Sequence, residues 1–145
     1  CKFVFDRARL TVALPGSDHA LGFERGQMNA PRVLRPVEGD FIAQVKVGGA
    51  FPAGAKSVVE GRRPFHGAGL LLWADEKNYV RLERAELVFD GKNTSYASFE
   101  SREGGKFVRA GDASEQPLEA GATYLRLERR GDKVYGAASP DGVQW

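Results

Sequence analysis

Ala68-Gly69-Leu70-Leu71-Leu72-Trp73-Ala74-Asp75-Glu76-Lys77-Asn78-Tyr79-Val80-Arg81-Leu82-Glu83-Arg84 is the stretch that decides the fold class. Residues 68–74 are almost continuously apolar, as expected for a central strand covered on both faces. Asp75 to Asn78 then supply turn-forming side chains. From Tyr79 the pattern turns to alternation: Val80 and Leu82 face one way, Tyr79, Arg81 and Glu83 the other. A strand, a turn and a strand of period two make a β-hairpin signature.

The same signature spreads outward. Phe41, Ala43, Val45 and Val47 alternate with Ile42, Gln44 and Lys46. Further strands are expected at 2–5, 9–14, 32–36, 86–89, 95–101, 106–109, 123–130 and 133–139, and no stretch carries a helical period. Asp90-Gly91-Lys92-Asn93 and Gly131-Asp132 separate pairs of strands, and glycine at the first position of the second suits a two-residue type II′ hairpin. The expectation is one all-β domain over residues 1–145, an antiparallel β-sandwich. Residues 15–31 read as irregular. Residues 48–65, with four glycines and two prolines, read as a mobile loop rather than a lid.

Composition narrows the function classes. The chain has 145 residues and a net charge of +2 from 21 basic and 19 acidic side chains, so nucleic acid is not the expected partner. No apolar run reaches the roughly 18 residues needed to span a bilayer, so no membrane role is expected. Cys1 is the single cysteine and closes no internal disulfide. The start at cysteine and the stop at Trp145 read as a fragment of a longer protein, truncated at its C-terminal end. The compartment stays open.

The strongest internal signal is a near-repeat. Tyr79-Val80-Arg81-Leu82-Glu83-Arg84 is echoed by Tyr124-Leu125-Arg126-Leu127-Glu128-Arg129. Each copy presents a Tyr-Arg-Glu stripe on the face away from its leucines. With a two-residue hairpin at Gly131-Asp132, Glu128 pairs with Tyr135, and Ala137 and Ser139 oppose Arg126 and Tyr124. Tyrosines beside paired charges and small residues suit a sugar, whose ring stacks on an aromatic plane while its hydroxyls meet arginine and glutamate. The bland alternative is a solvated sheet face whose charges neutralise one another across strands. Trp73 depends on the turn. A four-residue loop over 75–78, favoured by Asp75 and Asn78, places it in the core with Leu71 and Leu82. A three-residue loop places it beside Tyr79 as a stacking surface.

Catalysis is not expected. Glycoside hydrolysis needs two carboxyl groups roughly 5–9.5 Å apart, and no Glu-x-Asp-x-x-Glu signature occurs. Glu83 and Glu86 fall on opposite faces, and the arginines two residues from Glu83 and Glu128 are expected to keep both ionised. His19 and His66 lack metal-ligand spacing, so no metal and no cofactor are expected.

Four segments together carry a resemblance: Gly67-Ala68-Gly69-Leu70-Leu71-Leu72-Trp73, Asp75-x-x-Asn78-Tyr79-Val80-Arg81-Leu82-Glu83, Tyr124-Leu125-Arg126-Leu127 and Ser139-Pro140-Asp141-Gly142-Val143-Gln144-Trp145. Over roughly residues 32–145 the chain resembles an uncharacterised family of concanavalin A-like jelly-roll domains that includes the regulation-of-enolase protein. The resemblance implies a laminin G-like sandwich, appended to other domains in bacterial proteins, with no established activity. The closing motif is also similar to the Asp-box of sialidases, but Gly142 directly follows Asp141, so it reads as a turn with a tucked aromatic. The resulting expectation is a non-catalytic, lectin-like accessory module binding carbohydrate through Tyr79, Arg81, Glu83, Tyr124, Arg126, Glu128, Tyr135 and Trp73. The alternative is a protein-interaction or spacer domain, and glycoside hydrolysis ranks third.

Overall fold

The structure is a computed structural model that describes residues 1–48, 52–109, 115–118 and 121–145. Alternating side chains become strands, and among the described residues every strand pairing is antiparallel. In chain order they are β1 (Lys2–Asp6), β2 (Arg9–Ala13), β3 (Leu21–Gly22), β4 (Gln27–Met28), β5 (Phe41–Val47) and β6 (Phe65–Asp75). There follow β7 (Asn78–Phe89), β8 (Lys92–Glu103), β9 (Lys106–Arg109), β10 (Glu115–Pro117), β11 (Thr123–Arg130) and β12 (Lys133–Ser139). A larger sheet runs β10-β8-β7-β6, with β9 also on β8; a smaller one runs β12-β11-β5. The hairpins β1-β2 and β3-β4 stand as separate two-stranded ladders.

The two main sheets pack by their apolar faces, a sandwich-like arrangement. Leu82 of β7 meets Leu125 and Leu127 of β11 and Val47 of β5, while Leu70, Leu72, Val80, Phe99 and Val134 fill in around them. Burying each of these leucines contributes roughly 1.5–3 kcal/mol. Gly136 lets the sheets approach, because a Cβ there would lie 3.0 Å from the Phe99 ring. Part of the interior is polar: Arg84 donates to Thr123 Oγ1 and to Glu86 Oε1, each at 2.8 Å. Arg84 and Glu86 are both buried, so their pairing offsets the cost of desolvating them.

The turns follow their residues. Asp90 and Gly91 both take positive φ, 48° and 72°, as a two-residue I′ turn requires. Gly131 takes φ 59° and sets the β11-β12 register that a two-residue hairpin demands, with Glu128 opposite Tyr135 and Arg126 opposite Ala137.

Five expectations are corrected. Residues 68–74 lie in β6, at the edge of the larger sheet, and are half-buried or exposed, so they are not a central strand covered on both faces. Residues 32–36 form no strand; Pro31 and Pro36 offer no backbone donor there, and the Arg32 side chain bonds back to the Met28 and Ala30 carbonyls. Residues 79–84 and 86–89 are one strand, paired without interruption to β8. The irregular stretch 15–31 contains the β3-β4 ladder around one 3-10 turn, Phe23–Arg25. The loop after Trp73 is only Glu76-Lys77, because Asp75 Oδ1 accepts the Lys77 N–H at 2.7 Å and closes the turn early. A bulge at Ala74 then sets Trp73 opposite Tyr79, and Leu70 and Leu72, not Leu71 and Trp73, face the core. The mobility expected of residues 48–65 falls partly on 49–51, outside the described residues; residues 52–64 are turns and bends without a strand.

Candidate functional site

Because Leu82 packs against Leu125 and Leu127, the two Tyr-Arg-Glu stripes point away from each other, one from the outer face of each sheet. They do not converge on one site.

The first stripe is closed over. On β6, β7, β8 and β9 the side chains Trp73, Tyr79, Arg102 and Phe107 stand in cross-strand register. Trp73 stacks on Tyr79 with centroids 5.5 Å apart, and Arg102 lies over Tyr79 at 5.6 Å and over Phe107 at 4.6 Å. The β3-β4 segment covers this row. Glu24 accepts from Arg102 Nε and Nη2 at 2.8 and 2.9 Å, Leu21 O accepts from Arg81, and Arg32 sits 4.6 Å over the Trp73 ring. Tyr79 is left 3% exposed and Glu83 6%. Neither presents itself to a sugar in solution.

Charge in this buried face is closely matched. Arg81 pairs with Glu100 and, at 3.4 Å, with Glu83; Arg102 also reaches Glu100 at 3.6 Å. Glu83 Oε1 and the Tyr79 hydroxyl have no hydrogen-bond partner among the described residues. Burial pushes the Glu83 carboxyl above its ordinary range, and this outweighs the attraction of Arg81 and Arg102. Arg81 lowers the Glu83 carboxyl, as its place two residues away suggests, but by less than burial raises it. Glu24 goes the other way, held low chiefly by its hydrogen bonds from Arg102.

The second stripe is open. β11 is flanked by β12 and β5, whose outward side chains are Tyr135, Ala137 and Ser139 on one side and Ile42, Gln44 and Lys46 on the other. Tyr124, Arg126 and Glu128 are half-buried between them. The Gln44 amide oxygen accepts from both Nε and Nη2 of Arg126 at 2.7 Å. Glu128 accepts from Arg130 at 2.6 Å, which holds its carboxyl low. Lys46 lies over Tyr124 at 5.2 Å, and Arg130 over Tyr135 at 5.5 Å. Beside Glu128, a shallow depression is lined by Asp40, Phe41, Ile42, Glu128, Arg129 and Arg130.

The C-terminal turn completes this face. Ser139 Oγ donates to Asp141 and accepts from Gly142 N, while Asp141 Oδ1 accepts from Val143 N and Gln144 N. Those backbone donors hold the Asp141 carboxyl below its ordinary range. Gly142 passes so near Tyr124 that a Cβ would stand 3.0 Å from the ring. Trp145 is thereby delivered onto Arg126, 3.9 Å from centroid to guanidinium, with its Nε1 donating to Gly142 O. The ring keeps 36% exposure, and Tyr135 keeps 47%.

The chain matches no family model, no curated protein and no solved structure.

Of the eight residues expected at one site, Tyr124, Arg126, Glu128 and Tyr135 lie on the open face, and Trp73, Tyr79, Arg81 and Glu83 on the closed one. Gln44, Lys46 and Trp145 are further neighbours of Arg126 and Tyr124. The alternation over 41–47 already put Gln44 and Lys46 on one face; what it lacked was the knowledge that β5 pairs with β11. Trp145 was signalled by the Ser-x-Asp-Gly turn, which brings the chain back over its own strand.

Proposed function

We propose that this chain is a non-catalytic, lectin-like accessory module of the concanavalin A-like jelly-roll kind, binding carbohydrate on the outer face of the β12-β11-β5 sheet. One observation carries the reading: two half-exposed aromatic rings, Tyr135 and Trp145, flank a row of hydrogen-bonding side chains, Gln44, Arg126 and Glu128. A sugar offers an apolar ring face and a rim of hydroxyls, and this arrangement answers both. Support for the family assignment is the antiparallel two-sheet packing and the turn formed by Ser139, Asp141 and Gly142. A non-catalytic role is supported by the carboxylates themselves. Glu83 and Glu100, which both lie against Arg81, are buried, and Glu128 is paired with Arg130.

The test is a glycan-array screen of the chain beside a Tyr135→Ala, Trp145→Ala double variant. Binding by the parent that the folded variant lacks supports the reading. Absence of binding to every glycan overturns it. A second reading, a protein-interaction domain, is favoured by the β1-β2 hairpin, whose Phe3, Phe5, Leu10 and Val12 share one face and are 38–66% exposed.

A further inference from the structure

Resting on that reading, the charges around Arg126 narrow the ligand. The outward charged side chains of β5, β11 and β12 are Lys46, Arg126, Arg130 and Lys133 against the single carboxylate Glu128. Asp40 and Asp141 stand at the margins, each turned to backbone donors: Asp40 accepts from Gly131 N at 2.7 Å, and Asp141 from Val143 N and Gln144 N. Glu128 is taken by Arg130. Arg126 and Lys46 have no carboxylate within ion-pair distance among the described residues; their partners are a neutral amide and the faces of Trp145 and Tyr124.

A cation lying on a π face keeps its full charge and its outward N–H groups. The Arg126 guanidinium is, moreover, held in orientation by the Gln44 amide and the Trp145 ring. Such a fork matches a planar carboxylate or one edge of a sulfate, and holding it in place lowers the entropy lost on binding. The contrast with the closed face is direct, since there Arg81 and Arg102 are met by Glu83, Glu100 and Glu24. We propose that the open face takes an acidic glycan, with Arg126 and Lys46 receiving the sugar's anionic group while Trp145 or Tyr135 stacks on its ring.

The experiment titrates the chain with β-1,4-linked mannuronate oligomers and with the neutral β-1,4-mannose oligomers of equal length, at low and high salt. A sulfated galactan and its desulfated form make a second pair. The acidic member of a pair is expected to bind at least about tenfold more tightly than the neutral one, with Arg126→Gln and Lys46→Gln each removing most of that margin. A preference for uronate over sulfate identifies carboxylate as the group; equal binding leaves anion recognition standing for both. Equal affinity for acidic and neutral oligomers overturns the inference and leaves the carbohydrate reading intact. Poly-glutamate binding as tightly as the mannuronate, undiminished by Tyr135→Ala, overturns it in favour of an acidic peptide. No binding to any glycan removes the inference together with the reading on which it rests.

Discussion

The two copies of Tyr-x-Arg-Leu-Glu-Arg hold the same residues in the same order and end in opposite circumstances. In β7 the tyrosine is 3% exposed, and its arginine lies beneath the β3-β4 segment, between two glutamates. In β11 the tyrosine and arginine are half-buried, with Lys46 and Gly142 against the tyrosine and Gln44 and Trp145 against the arginine. Neighbours make the difference. β7 lies between two long strands that bring Trp73, Glu100 and Arg102 to its outer face, and a segment from elsewhere in the chain seals that face. β11 lies between two seven-residue strands whose outward side chains are short, neutral or cationic. An identical stripe is buried where a cover is supplied and stays open where it is not.

The contrast should break hardest at the arginines. Arg102→Ala strips Glu24 of its two-pronged partner and Glu100 of one of its two arginines, so it is expected to cost roughly 1–3 kcal/mol of stability. Arg126→Ala, at the half-exposed counterpart, is expected to cost under about 1 kcal/mol. Urea denaturation of both variants checks the pair, and equal losses would erase the distinction between the faces.

The glutamates give a smaller effect with a definite sign in pH. Glu83 has a raised carboxyl, so its contribution is fully present below the ordinary value of 4.5 and is lost as pH rises through its folded value. Glu24 has a lowered one, so its contribution is present above 4.5 and is lost as pH falls through its folded value. Glu83→Gln is therefore expected to flatten the decline of Tm above pH 4.5, and Glu24→Gln the decline below it. Thermal melts from pH 3 to 8 distinguish them; a Glu83→Gln profile parallel to the parent's would show that burial does not govern this carboxyl. The smallest effect belongs to the C-terminal turn. Asp141→Ala removes two backbone hydrogen bonds at an exposed site, so little stability should be lost, yet it should free Trp145 and shift its fluorescence toward that of a solvated indole. Unchanged emission would mean that Arg126 alone holds the ring.

Much of this was legible in the residues. Alternation and apolar runs marked β5, β6, β8, β9, β11 and β12, split β7 in two and left β10 unread, while glycine at position 131 named the β11-β12 register, because each is a local property of a strand or a turn. Trp73 was misplaced because the register after it turned on a single hydrogen bond, Lys77 N–H to Asp75, and on one bulged residue. Such a choice involves small energies that composition does not display. The closure of the first stripe was harder still to read. Glu24 and Arg102 are 78 positions apart, and nothing in residues 15–31 marks them as a cover. The rise of the Glu83 carboxyl was hidden for the same reason, since desolvation depends on what lies on top, whereas Arg81 is visible two residues away.

Hydroxyl-radical footprinting of the free chain, read residue by residue by mass spectrometry, tests the separation of the two faces most directly. Tyr79 should be strongly protected while Tyr135 and Trp145 are modified at rates near those of solvent-exposed rings. Modification of Tyr79 as fast as that of Tyr135 would contradict the account, because both stripes would then be open to ligand.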